Sequence, residues 1–374
     1  MIAVKVVSVV IAAVILGRTI MSAIRTFVVP RDEPTALARA VFVALRIPFL
    51  AVAKRQEPAA GQRTMRLFAP LALLVLPVIW ITVLWATTAT AYWALDDMSL
   101  QRALEVSGSS VTSLGTYHPD GLAATLLSFG EAALGLGLVA LLITYLPTIY
   151  AAYQRREREV SLLAGRAGSP PSAVAMLRRF QDIDLLDATT ELWTQWELWF
   201  VDIEESHTSM GSLAQFRSGP HDHSWITASG AVLDAASLML SAVDVKNEPR
   251  AALCIRSGFL ALRHVADFYD IAYDPDPAPD DPISITRAEF DHAIAQLEDG
   301  GLPIKRDRDL AWRDFSGWRV NYDTVLLALC ALVWAPYAPW SSDRAMTYVR
   351  PPITRRGGRG QGQRTPSAPE AKKK

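Results

Sequence analysis

Cysteine is scarce in this chain: only Cys254 and Cys330 occur among 374 residues. Both lie in apolar surroundings, which indicates buried thiols in a reducing compartment rather than a disulfide or a metal site. The sequence also has no CxxC pair, no phosphate-binding glycine loop and no nucleophile elbow. These absences argue against the metal, nucleotide and hydrolase chemistries that such motifs support. We therefore expect neither an enzyme nor a cofactor.

Neither sign of charge dominates, because the formal net charge is −1. Bulk electrostatics therefore give no reason to expect nucleic acid as a partner. The average hides an uneven distribution: residues 1–153 are mostly Leu, Val, Ala and Ile, whereas 154–324 carry dense charge. This division predicts a membrane region, in contact with membrane lipids, followed by a water-soluble region.

Two apolar runs, 67–95 and 122–153, exceed the roughly 20 residues that a membrane-spanning helix needs. A third run, 6–29, is interrupted by Arg18 and Arg25. We interpret it as an uncleaved anchor, and a cleaved signal peptide is the alternative. Segment 35–55 is amphipathic but too broken by arginine to span, so it is expected to lie on the inner membrane surface or to be a packed linker helix.

Charge asymmetry predicts the orientation. Nine Lys or Arg residues lie between Arg18 and Arg66, whereas the connection 96–121 has only Arg102, and the run QRRERE follows the last span. Basic loops stay on the cytoplasmic side. We therefore expect a multi-pass protein of the inner (plasma) membrane, with 96–121 facing outward and the C-terminal part in the cytoplasm.

The outward connection contains the polar stretch SGSSVTSLGTYHPDG, residues 107–121. Residues 97–111 have the pattern of a short capped helix, which cannot continue past Gly115 and Pro119. An irregular polar segment at membrane depth is tolerated only where protein buries it or water reaches it. A short helix followed by a Ser/Thr/Gly segment predicts a re-entrant pore loop.

The unit 67–156 resembles the outer helix, pore helix, filter and inner helix of the potassium-channel superfamily. Its segment SGSSVTSLGTY is similar to the pore loop whose filter reads T-V-G-Y-G. In that family, backbone carbonyls replace the hydration shell of K⁺ or another monovalent cation. The resemblance, aligned on the central glycine, implies a selectivity filter made of Thr112, Ser113, Leu114, Gly115, Thr116 and Tyr117.

Two positions depart from the family pattern: Thr116 stands where an aromatic residue is usual, and Tyr117 replaces the second glycine. Selectivity for K⁺ over Na⁺ therefore does not follow from the resemblance. The chain contains one such unit and no internal repeat. Since one loop supplies a quarter of a pore of this class, the resemblance implies a homotetramer around the pore axis.

Two polar residues are expected to support the pore. Ser110 lies just before the filter, and Glu131 is the only charge in 122–153. A charge at that depth normally has a functional role. Glu131 is about 13 Å along the helix from its start, which predicts a hydrogen bond to Ser109 or Ser110 or an ion pair with Arg102. A protonated carboxyl with a purely structural role is the alternative.

The inner helix contains Gly135, Gly137 and Pro147, residue types that commonly bend helices. They are candidates for a hinge and gate, with Pro147 closest to the predicted cytoplasmic end. For the two glycines, the general frequency of glycine in membrane helices is an equally good explanation.

The soluble part shows helical periodicity, broken by linkers at 217–223 and 274–282, and predicts a bundle of five or six helices. Glu204 and His207 have the Glu-x-x-His spacing of di-iron bundles. This spacing suggests an anchored metalloenzyme as a third interpretation, although a solvated helix end explains it as well. His221 and His223 could bind a divalent ion or simply form a polar turn. The basic tail, 350–374, is expected to be disordered and to lie against anionic lipid.

The sequence thus predicts an all-α membrane protein with two or three transmembrane helices, a re-entrant pore loop, an all-α cytoplasmic bundle and a disordered tail. The expected function is a cation channel, gated or assembled by the cytoplasmic domain. A non-conducting scaffold or receptor that keeps the pore-loop fold is the alternative. The predicted divisions are an anchor (1–30), an interfacial segment (31–66), a pore module (67–156), a helical domain (157–349) and the tail (350–374).

Overall fold

A computed structural model describes residues 2–29, 35–95, 98–186, 189–245 and 248–344, so the predicted tail lies outside the described residues. Within these ranges the chain forms thirteen α-helices and no strand. The helices are α1 (Ile2–Phe27), α2 (Ala36–Ala53), α3 (Pro58–Arg66), α4 (Phe68–Leu95), α5 (Leu100–Val111), α6 (Leu122–Ala167), α7 (Ala173–Asp182), α8 (Thr190–Ser209), α9 (Trp225–Ser241), α10 (Pro249–Phe268), α11 (Arg287–Asp299), α12 (Arg308–Arg319) and α13 (Asp323–Val333).

Four helical stretches are long and apolar enough to cross a membrane: Ala3–Phe27, Ala36–Ala53, Pro58–Ala94 and Leu122–Ala167. They agree with the predicted multi-pass membrane protein. These four candidate spans exceed the predicted two or three transmembrane helices, because α2 is long and apolar enough in spite of Arg39 and Arg46. By length and hydropathy this segment could span a membrane, so the expectation that its arginines make it too broken to do so is wrong.

The contacts of α2 nevertheless separate it from the other three. Arg39 Nη2 lies 3.2 Å from the Asp270 carboxylate, and Arg46 donates to the carbonyl of Leu332. Both partners belong to the C-terminal half of the chain. One face of α2 thus lies along the C-terminal bundle over two helical turns.

The membrane region is built on antiparallel packing of α1 against α4. The Lys5 ammonium lies 5.6 Å from the Trp93 ring at one end of α4, and Phe27 packs edge-on at 5.2 Å from Trp80 in its middle. Helix α6 also runs antiparallel to α4 and continues unbroken for 46 residues, about 69 Å at 1.5 Å per residue. Its second half therefore leaves the membrane region and enters the C-terminal bundle, as predicted.

The C-terminal bundle packs the end of α6 and helices α7–α13 around α9, which is buried along most of its length. It has seven helices beyond α6, so the expected five or six is corrected. The helix missed was α12, whose sequence RDLAWRDFSGWR is largely polar. Asp307 caps it, and Ala311, Phe315 and Arg319, spaced by four, form its buried side.

Charge is buried at the centre of this bundle. Arg319 is fully buried and contacts the carboxylates of Asp234 at 2.5 Å and Asp323 at 2.7 Å, which joins α9, α12 and α13. Both cysteines are buried free thiols, as predicted, and burial raises the pKa of each.

Candidate pore-loop site

Helix α5 begins and ends with well-formed caps. At its start, the Ser99 hydroxyl accepts from the Arg102 backbone N–H at 3.2 Å. At its end, the N–H of Ser113 donates to the Ser110 carbonyl and that of Leu114 to the Ser109 carbonyl, each at 3.0 Å. These two bonds form a Schellman cap, in which the residue after the helix adopts a left-handed conformation. Ser113, with φ of 57°, takes that position in place of the usual glycine.

After this cap the chain turns back along α5. The Tyr117 N–H donates to the Ser109 hydroxyl at 3.0 Å, and the Arg102 guanidinium lies 4.7 Å from the Tyr117 ring. Gly115 has φ of 68°, a conformation that a Cβ disfavours. The returning segment 112–117 contains all six predicted filter residues, and every one of them is exposed in the single chain.

The end of α5 is held deep against α6. A Cβ added at Gly135 would lie 2.3 Å from the carbonyl oxygen of Val111, so only glycine permits this approach. Gly135 lies thirteen residues after Leu122, about 20 Å along α6 at 1.5 Å per residue. The end of α5, a helix of 12 residues, therefore lies about 20 Å along α6 from the start of that helix.

The three hinge candidates have different surroundings. The close contact with α5 gives Gly135 a packing reason to be glycine. Gly137 is exposed with open space around it, and Pro147 lies exposed inside the continuous α6. A hinge or gate at these residues remains a prediction.

Glu131 is 1 % exposed and joins three helices. Its carboxyl oxygens accept hydrogen bonds from Thr88 at 2.5 Å, Ser107 at 2.6 Å and Tyr92 at 3.1 Å. The donors belong to α4 and α5, and Glu131 to α6. The prediction that Glu131 bonds Ser109 or Ser110 or pairs with Arg102 is therefore wrong. These three hydroxyls supply the hydrogen bonds that a buried carboxyl group requires.

Further polar contacts fix the back of α5. The predicted support residue Ser110 shares a hydrogen bond with Ser128 of α6 at 2.9 Å, and the indole N–H of Trp85 donates to the Leu104 carbonyl at 2.9 Å. Sequence reasoning missed Thr88, Tyr92 and Ser107. A signal was present, since Thr88 and Tyr92 are two polar side chains spaced by four in an apolar helix and so lie on one face.

The alternative metal site is not assembled. His207 is fully buried, and its Nε2 lies 3.2 Å from the Arg156 guanidinium. Burial and the Arg156 charge hold the pKa of His207 well below its usual value. Glu204 instead contacts His264 at 2.9 Å. No group of three or more potential metal ligands occurs within the described ranges.

No protein-family model, curated protein or solved structure matches this chain. The function proposed below is therefore argued from the residues and contacts described above.

Proposed function

We propose that this protein conducts monovalent cations, K⁺ foremost, through a pore formed by segment 112–117 from four copies of the chain. The observation that carries the proposal is the exposed polar segment that returns along α5. It combines hydroxyl side chains and exposed backbone carbonyls with hydrogen-bonded support from the end of α5.

The energetic argument concerns where such a segment is stable. In lipid, each unsatisfied backbone polar group costs several kcal/mol. Residues 112–117 are exposed in the single chain, and the end of α5 packs against Gly135 of α6, about 20 Å along a helix that can cross a hydrocarbon core roughly 30 Å thick. Contact of this segment with lipid would therefore be strongly unfavourable. A water-filled path between copies of the chain removes the penalty, because water and cations satisfy the exposed groups.

The backbone of the segment also suits cation binding. Ser113 and Gly115 have positive φ, whereas the residues between and after them do not. We propose that this alternation turns successive carbonyls toward one side, so that they can replace the hydration shell of a cation. The exposed apolar face of α6, with Ile143 66 % exposed, provides surface for neighbouring copies or lipid.

We further propose that the C-terminal bundle is cytoplasmic and controls or assembles the pore. The support for the side is the excess of Lys and Arg before α4 and after the membrane part of α6. Two routes connect the bundle to the pore module. One is the continuous helix α6. The other is the contact of α2 and α3 with the bundle, where Gln62 donates to the Trp334 carbonyl at 3.3 Å.

The test is K⁺ and Na⁺ flux from purified protein in liposomes, with a matched pair of glycine variants. Gly115→Ala adds a methyl group at φ of 68°, whereas Gly130→Ala adds the same group at an open helical position. We expect Gly115→Ala to reduce flux at least tenfold, Gly115→Asp to abolish it, and Gly130→Ala to leave it unchanged. Equal flux of K⁺ and Na⁺ would assign relaxed selectivity to Thr116 and Tyr117.

An absence of cation flux would have the opposite meaning. Folded, tetrameric wild-type protein that passes neither cation, with and without its C-terminal bundle, contradicts the channel proposal. That result would favour the non-conducting scaffold.

A further inference from the structure

A small cavity lies in the C-terminal bundle, beside Arg217, which also contacts Gln62 of α3. It is bordered by the connection between α8 and α9, including Arg217, Ser218 and His223, and by the residues that follow α13. The first residues of α9, Ser224 and Trp225, complete one wall. Its size suits a single species about as large as a water molecule.

Two polar atoms at this cavity have no hydrogen-bond partner among the described residues. They are the hydroxyl of Ser218, which is 3 % exposed, and the buried Nδ1 of His223. A buried polar atom without a partner is costly and calls for an explanation. Both groups can donate a hydrogen bond, and both residues line the cavity, so an acceptor bound in it would give them a partner.

The surroundings are electropositive. The Arg217 guanidinium donates to the Gln62 side chain and to the carbonyls of Val333 and Trp334, all of which are neutral acceptors. Burial, followed by the charge of Arg46, lowers the pKa of Arg217 to about 9. The cavity therefore lies beside a buried cation with a second cation nearby.

The N-terminus of α9 adds to this positive electrostatic potential. Helix α9 has 17 residues, and its N-cap Ser224 makes no side-chain cap hydrogen bond. The first N–H groups of a helix lack intrahelical partners and carry partial positive charge. The nearest carboxylate in this connection, Asp222, accepts from the Ser169 hydroxyl at 2.6 Å and does not border the cavity.

We propose that this cavity binds one monatomic anion of the chloride class, held by Ser218, His223 and the N-terminus of α9. A water molecule would satisfy the hydrogen bonds but would leave the charge of Arg217 uncompensated. A cation is disfavoured by the same charge, and the small volume favours a monatomic over a polyatomic anion. The bound anion fixes the connection between α8 and α9, and thereby stabilises the contact of Arg217 with α3.

The test uses the full chain in detergent and bromide as the probe. Crystals grown in sodium bromide should show an anomalous peak between Ser218 and His223. In solution, thermal unfolding should shift upward in chloride relative to gluconate at equal ionic strength. Ser218→Ala should raise the apparent chloride dissociation constant at least tenfold. His221→Ala, a substitution at an exposed residue of the same turn, should leave it unchanged.

A cavity that holds only water would overturn the proposal: no anomalous peak in bromide, and equal unfolding temperatures in chloride and gluconate. If Ser218→Ala does not fold, His223→Gln provides the second variant, and the bromide peak in the wild-type protein needs no variant. The site is separate from segment 112–117, so this result is independent of whether the protein conducts cations.

Discussion

Replacement of Glu131 by alanine tests whether the buried polar contacts behind α5 stabilise the membrane region. The substitution removes the acceptor shared by Thr88, Tyr92 and Ser107. Thr88 and Ser107 each have a second acceptor in a backbone carbonyl of α4, at 2.8 and 2.9 Å. The Tyr92 hydroxyl loses Glu131 as its acceptor, but it also makes side-chain hydrogen bonds with Ser110 and Ser128, so it is not left without a partner.

The expected loss follows from two contributions. The loss of a net hydrogen bond costs about 0.5–1.5 kcal/mol. A residual cavity of about 50 Å³ adds about 1 kcal/mol at roughly 24 cal/mol per Å³. Glu131→Ala should therefore lower the free energy of unfolding by about 1.5–2.5 kcal/mol. Glu131→Gln keeps one carbonyl oxygen, and its loss should be about 1 kcal/mol.

Thermal unfolding in detergent, followed by tryptophan fluorescence, measures these differences. The decisive comparison adds Tyr92→Phe to Glu131→Ala, because it removes the hydroxyl that loses Glu131 as its acceptor. The double variant should be about 1 kcal/mol or more less destabilised than the sum of the two single variants predicts. Glu131→Ala with wild-type stability, or strictly additive single effects, would refute the reasoning.

Three further predictions concern packing, buried charge and pH. Gly135→Ala places a methyl group against the Val111 carbonyl and should lower the free energy of unfolding by about 1–3 kcal/mol. Gly137→Ala, in open space, should cause no loss. Equal thermal stability of the two variants would contradict the contact of Gly135 with Val111. Arg319→Leu leaves two buried carboxylates without their cation and should cost about 3–5 kcal/mol in thermal or chemical unfolding; a loss below about 1 kcal/mol would contradict the assignment. His207 has a lowered pKa when folded, so its contribution is fully present above the unfolded value of about 6.5 and is lost as the pH falls toward the folded value. Wild-type unfolding temperature should thus fall more steeply below pH 6.5 than that of His207→Gln, and parallel pH profiles would contradict this.

Much of the fold could be predicted from local patterns. The long apolar runs predicted α4 and α6, and the change from a capped helical pattern to Gly115 predicted the end of α5. The periodicity of apolar residues did not predict α12, because its local sequence is ambiguous. Helix α12 has few apolar residues, and its buried side is completed by Arg319, which local periodicity counts as exposed.

The contacts of the candidate site were less predictable. The sequence places Glu131 at the depth of α5, and the structure agrees with that depth. Its partners depend on how α4 is rotated about its own axis, which brings Thr88 and Tyr92 inward. Likewise, the approach of Val111 to Gly135 depends on interhelical distance. Neither quantity is encoded by the periodicity of a single helix, because each is set by packing between helices.

The most direct test of the central claim is a chemical block of the proposed pore. Thr116→Cys places a thiol in the exposed segment, while both native cysteines are buried and serve as the internal control. Potassium flux is measured in liposomes before and after a membrane-impermeant, positively charged thiol reagent. We predict that the reagent reduces flux of Thr116→Cys at least tenfold and leaves wild-type flux unchanged. Complete modification of the new thiol, shown by mass, with undiminished flux would contradict a cation path along residues 112–117.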